Sequence, residues 1–211
     1  MGRQEQTNHL FSNRDLRILL VPLIVEQILN SLMGTADSIM VSNVGSAAIS
    51  AGSLVDSINI LVIQAFYALA AGGTIVCSQY IGQKDKKNAE ESARQLSFVV
   101  ACISSAVMVV CLLTRGPLLR LIFGSVEADV MEAAQIYFFY TALSFPFIAL
   151  YDAGSSIYRA QGNTRLPMTI AVVSNGLNIA GNAVLIWGFH LGVAGAAIAT
   201  LIARIVECVI I

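Results

Sequence analysis

The stretch SLMGTADSIMVSNVG places an aspartate, Asp37, among residues otherwise suited to lipid. A carboxylate at the centre of a membrane costs roughly 2.5–3.5 kcal/mol, so its default reading is functional. Turned through roughly 100° per residue, Glu26, Asn30, Met33, Gly34 and Asp37 fall on one narrow helical face. Ser174, Asn175, Asn178 and Asn182 cluster in the same way, as do Thr200, Arg204 and Glu207. Further polar groups are Asp56, Asn59 and Tyr67, then Tyr137, Tyr140, Tyr151, Asp152, Ser156 and Arg159. Polar side chains can meet inside a membrane where they share a watered interior.

Two kinds of chemistry fit this set. Asp37 is a candidate proton carrier, since a bound proton cancels its charge. With oxygens from Asn178, Asn182 and Thr200 it could instead hold Na⁺. These four are the expected cation-coupling residues. Glu26, Asn30, Met33, Asp56, Asn59, Tyr67, Tyr137 and Tyr140 are the expected lining of a substrate cavity. The structural alternative is glue, because Asn and Thr also bridge membrane helices. That alternative suits a carboxylate poorly unless it is protonated or paired, and the sequence places no Lys or Arg at the depth of Asp37. Glu26 lies nearer the other end of its helix, within reach of water or Arg159. Asp152 and Arg159, seven residues apart, suggest an ion pair or gate. Met33, Met40, Phe66, Phe145 and Phe147 could add apolar surface to the cavity or simply pack.

Catalysis finds no support. No nucleophile–base pair, HExxH or glycine-rich phosphate loop is visible, and no enzyme or cofactor is expected. Cys77, Cys102, Cys111 and Cys208 lie in apolar runs without metal-ligand spacing and read as small buried hydrophobes. His9 and His190 are far apart in sequence and suggest no metal site.

The elements that must hold these residues are membrane helices. Of 211 residues, 56% are hydrophobic and 12% charged, against roughly 25% charged in a soluble domain. Six apolar segments reach the ~20 residues of a membrane span, at about 16–43, 48–81, 95–114, 131–158, 166–189 and 193–211. Residues 1–15 read as a polar tail without a signal peptide. GQKDKKNAEESARQ reads as a short surface helix leading into the third span. Gly72 and Gly73 mark a bend or a packing notch. Pro22, Pro146 and Pro167 are candidate bend points, with Pro146 the best placed.

Arg3, Arg14, Arg17, Lys84, Lys86, Lys87, Arg94, Arg159 and Arg165 fall on one side of these spans, against Arg115 and Arg120 on the other. The richer side belongs in the cytoplasm, so a cytoplasmic N-terminus and a plasma-membrane location are expected. Asp37, Asp56, Asn59, Tyr137, Tyr140, Asn178, Asn182 and Thr200 then meet outward of the midplane.

Four stretches resemble the multidrug and toxic compound extrusion (MATE) transporters: ADSIMVSNVG, GGTIVCSQYIGQKDKKNAEESA, YRAQGNTRLPM and NGLNIAGNAVLIWGFHLGVAGAAIATLIAR. They occur in the family's order and cover nearly the whole chain. The resemblance implies an all-α bundle of six membrane helices, the N-terminal lobe (16–211) of a twelve-helix V-shaped transporter. The sixth helix reads as cut short, and the second lobe as the missing partner. The family exports cationic and amphipathic compounds in exchange for H⁺ or Na⁺. In the branch with an N-lobe ion site, a first-helix aspartate works with an asparagine and an acid four apart in the fifth helix, and a threonine in the sixth. Asp37, Asn178 and Thr200 match. Asn182 stands at the acidic position, so a relay between two acids is in doubt and the coupling ion stays open. Rival readings are a lipid-linked oligosaccharide flippase, which calls for several cavity cations, and a half-protein that does not transport.

Overall fold

The computed structural model describes residues 13–124 and 126–211. Their regular structure is helical throughout: α1 (Asn13–Ser42), α2 (Ser46–Gly82), α3 (Lys86–Phe123), α4 (Ala128–Leu143), α5 (Phe145–Ala160), α6 (Arg165–Asn182) and α7 (Gly192–Ile210). A π-helical turn, Ala183–Gly188, continues α6. Five helical stretches are each long and apolar enough to cross a membrane, and α4 with α5 makes a sixth as one bent span. The chain is a multi-pass membrane protein. Leu61, Phe98, Leu113 and Leu121 point out of the bundle, where lipid replaces water as their solvent.

α2 packs along α3, α4 and α5, whereas α1 packs mainly on α6. The core proper lies between α2, α3, α4 and α5, around Val55, Phe66, Phe138 and Phe145. Between these two groups of helices α1 and α2 touch only lightly, and the polar faces open into that gap.

Small residues set the closest approaches. A side chain added at Gly195 would stand 3.0 Å from the backbone carbon of Leu185 in the π turn. One added at Gly181 would stand 3.0 Å from Ala199 Cβ. α6 and α7 therefore lie nearly backbone to backbone, as small residues permit in lipid. Gly73 is a notch for Leu96, whose Cδ1 would lie 2.2 Å from an added Cβ, while Gly72 faces open space. α2 runs through both without a break.

Several boundaries differ from the sequence reading. The supposed surface helix is the first part of α3, a single helix of 38 residues. Asp85 caps it, accepting from Asn88 N at 3.2 Å, and Glu91 pairs with Arg94 at 2.8 Å one turn on. Pro117 lies within α3, which continues to Phe123. The fourth span breaks at Ser144 and bends by 42° into α5. Pro146 lacks an N–H to continue the ladder to Ala142 O, and at the break both Ser144 N, at 3.0 Å, and Ser144 Oγ, at 2.7 Å, donate to Thr141 O. α1 already begins at Asn13, inside the expected tail, while Arg3 and His9 lie outside the described residues. Cys77 and Cys111 are buried as expected, but Cys102 is exposed on α3 and Cys208 is half-buried.

Candidate cation site and membrane cavity

α1, α6 and α7 bring four expected residues together. Asn182 Nδ2 donates to Asp37 Oδ1, and Thr200 Oγ1 lies 3.2 Å from Asp37 Oδ2. Asn182 also donates to Asn178 Oδ1 at 3.3 Å, and Asn178 Nδ2 donates to Thr200 Oγ1 at 3.1 Å. The single Thr200 proton is shared between Asp37 and Ala196 O, 3.0 Å away. Spacing explains the arrangement. Asn178 and Asn182 are one helical turn apart, and the glycine contacts described above press that turn against Thr200.

Asp37, Asn178 and Asn182 are buried, and Asn182 Oδ1 has no hydrogen-bond partner. An orphaned amide oxygen beside a carboxylate fits the expected Na⁺ ligand set, since hard cations take oxygen ligands. The Asn182 amide and the Thr200 hydroxyl each present a donor to Asp37, an arrangement that suits a carboxylate.

The site forms part of the wall of a cavity of about 900 Å³. Asn30, Met33, Asp56, Asn59 and Tyr137 line it, all expected, and so does Phe145. Tyr137 Oη lies 3.4 Å from Asp56 Oδ1. The bend at Ser144 turns Thr141, Ser144, Phe145 and Ile148 toward the same space. Gln27, Ser31, Thr35 and Gln64, which sequence reasoning passed over, complete a polar rim. They lie within a turn or so of the singled-out residues, and only the opposed faces of α1 and α2 reveal them.

A second cavity of about 460 Å³ adjoins the first and shares Gln27, Asn30, Ile63, Gln64, Ile148 and Arg204 with it. Glu26 and Tyr67 line it, together with Tyr151, Asp152 and Arg159. Glu26 Oε1 accepts from Arg159 Nη2 at 2.6 Å and from Tyr151 Oη at 3.3 Å. Arg204 Nη1 meets Glu207 Oε2 at 3.0 Å.

Two expectations change, those for Tyr140 and Arg204, and two open readings resolve. Tyr140 lines neither cavity; it stands edge-on to Phe139, with ring centroids 5.2 Å apart, against the core. Arg159 pairs with Glu26, as the reach of Glu26 suggested, and not with Asp152. Arg204 does reach the cavity of Asp37, because its long side chain carries the charge past its own helical turn. Of the apolar candidates, Met40 packs with Val41, Ala48, Ile186 and Ala196, and Phe66 packs edge-on to Phe145 at 5.9 Å.

Residues 22–184 match the MatE family. The chain belongs to the MatE family. This is the transporter family that the four sequence stretches resemble. A relative in Bacillus subtilis (strain 168), the uncharacterized transporter YisQ, is 34% identical over 96% of this chain and 44% of its own length. The probable multidrug resistance protein NorM of Thermotoga maritima is 27% identical over 92% of this chain and 42% of its own. This MatE chain thus spans less than half the length of the curated relatives it matches. A solved MOP superfamily transporter from Pyrococcus furiosus shares the fold, with a TM-score of 0.86 and 23% identity over 99% of this chain and 46% of that one. An outward-facing multidrug resistance MATE family transporter also gives 0.86, with 24% identity over 92% of this chain and 43% of that one.

Proposed function

We propose that this MatE chain forms the N-terminal lobe of an exporter that exchanges cationic or amphipathic compounds for H⁺ or Na⁺ by alternating access. One observation carries the reading: Asp37 is held by Asn182 and Thr200, without an ion pair among the described residues, in the wall of a large intramembrane cavity. Loading Asp37 with H⁺ or Na⁺ cancels its charge and lets the lobe tighten. Release restores the charge and favours a cationic substrate. Exchange follows when each ligand prefers a different conformation.

Two carboxylates, Asp37 and Asp56, face the larger cavity, and Met33 and Phe145 give it apolar wall. That mixture suits an amphipathic cation. The flippase reading needs free cations for a pyrophosphate, yet Arg159 and Arg204 are each engaged by a glutamate. The basic ends of the helices lie in the cytoplasm, with a second six-helix lobe closing the gap between α1 and α2.

The test is efflux of a fluorescent cation from proteoliposomes holding the whole transporter, under separately imposed pH and Na⁺ gradients. Asp37→Asn abolishes gradient-driven efflux at unchanged expression, and the gradient that drives the parent names the ion. Parental efflux by the variant would move coupling out of this lobe.

A further inference from the structure

The smaller cavity contains a charge that the reading above leaves unused. Four charged side chains line it, Glu26 of α1, Asp152 and Arg159 of α5 and Arg204 of α7, and a fifth, Glu207 of α7, is buried behind Arg204 and paired with it. The charges do not cancel. Arg159 is engaged by Glu26 at 2.6 Å and Arg204 by Glu207 at 3.0 Å. Asp152 is the odd carboxylate. Its Oδ2 is sealed from solvent and has no hydrogen-bond partner among the described residues, although the residue lines the cavity. Glu26, only 3% exposed, likewise leaves Oε2 unpartnered.

We propose that Asp152 is a second proton-binding site of the exporter, separate from Asp37 and loaded through the smaller cavity. This rests on the antiport reading above. A carboxylate inside a membrane needs a partner or a neutralising cation, and each guanidinium nearby is already paired through one Nη with a glutamate and makes no hydrogen bond to Asp152. The groups whose charge reaches Asp152 are Arg204, Arg159, Glu207 and Glu26. Tyr67 from α2 and Tyr151 from its own helix also line the space, while α3 and α6 add no charged side chain to it.

A proton suits the site better than an organic cation. It forms an O–H bond at Asp152 and leaves a neutral acid. A bulky ammonium would keep its charge beside Arg159 and Arg204. Arg204 also lines both cavities, and a fixed guanidinium bars a cation from passing directly between them. Asp37 and Asp152 are therefore filled independently. The acid missing at residue 182 is replaced in number, though not in place.

Proton counting tests this. The whole transporter, in weakly buffered detergent with a pH-indicator dye, is titrated with ethidium, and protons released per ethidium bound are measured. Asp37→Asn and Asp152→Asn each release about half the parental number, and the double variant releases none. Asp152→Glu restores release. If Asp152→Asn does not fold, Asp152→Ser takes its place. Parental release from Asp152→Asn overturns the proposal, while a loss confined to Asp37→Asn leaves the antiport reading standing. Parental release from Asp37→Asn, with release lost in Asp152→Asn, upholds the proton at Asp152 and leaves Asp37 to Na⁺. A parent that binds ethidium without releasing protons also overturns the proposal and leaves Asp37 to Na⁺.

Discussion

Arg159 Nη2 lies 2.6 Å from Glu26 Oε1 and joins α5 to α1 across 133 residues of sequence. Glu26 is buried, and Tyr151 Oη approaches the same oxygen at 3.3 Å. Removing one member of a buried pair leaves an uncompensated charge and costs about 3–5 kcal/mol, whereas replacing both is far milder. Arg159→Met should therefore destabilise the protein strongly. Glu26→Gln combined with Arg159→Met should recover most of the loss. A double-mutant cycle read by thermal unfolding in detergent checks this. Additive effects of the two substitutions would mean that the pair is not coupled.

The identity of residue 182 bears on the coupling ion. Asn182 gives Asp37 an N–H donor and keeps a free carbonyl oxygen. An aspartate there would set two carboxylates in contact, and such a pair holds one proton between them. Asn182→Asp should make efflux more dependent on pH and less responsive to Na⁺. The expected result is export driven by a pH gradient at undiminished rate, with any stimulation by Na⁺ reduced. A parental ion response would show that residue 182 does not select the ion.

Much of this site was legible because membrane burial makes polar residues conspicuous. Asp37, Asn178, Asn182 and Thr200 stand out from apolar helices at helical spacing, and they meet as expected. What stayed hidden depends on distance through space. The sequence offered Arg159 two acids, Glu26 and Asp152, and only the long reach of its side chain from α5 to α1 decides for Glu26. Tyr140 shares a helix with Tyr137 and lies only roughly 60° round it, yet that turn takes it out of the cavity wall and sets it against Phe139 and the core. Arg204 was placed too far from Asp37 because depth was judged from backbone position, while a long side chain moves its charge several ångströms. The π turn after Asn182 has no signature in AVLIWG, and the close packing of Gly195 beneath it appears only in three dimensions.

That close packing gives a sharp contrast between glycines. A Cβ at Gly195 would stand 3.0 Å from Leu185 C and 3.1 Å from Leu185 O, and backbone atoms cannot rotate aside. At Gly176 nothing lies within 4 Å. Gly195→Ala should push α7 away from the π turn and cost about 1–3 kcal/mol, the usual penalty of overpacking. Gly176→Ala, in the exposed face of α6, should be neutral or stabilise by up to ~1 kcal/mol through lower unfolded-chain entropy. Thermal unfolding of the two variants side by side makes the comparison. Because Thr200 and Asn182 belong to the elements that Gly195 holds together, Gly195→Ala should also weaken export more than its loss of stability explains.

Orientation can be tested through the turns. Lys84, in the turn between α2 and α3, and His190, between α6 and α7, lie at opposite ends of the bundle by chain direction. Arginine and lysine cluster at the Lys84 end, and the bias of basic loops toward the cytoplasm sets its side. In a variant with the four native cysteines replaced by serine or alanine, a cysteine at residue 190 should react with an impermeant maleimide added to intact cells. A cysteine at residue 84 should react only after the cells are opened. Both turns project from helix ends, so reactivity reports side rather than burial. The opposite pattern would invert the lobe and place Asp37 in the cytoplasmic half.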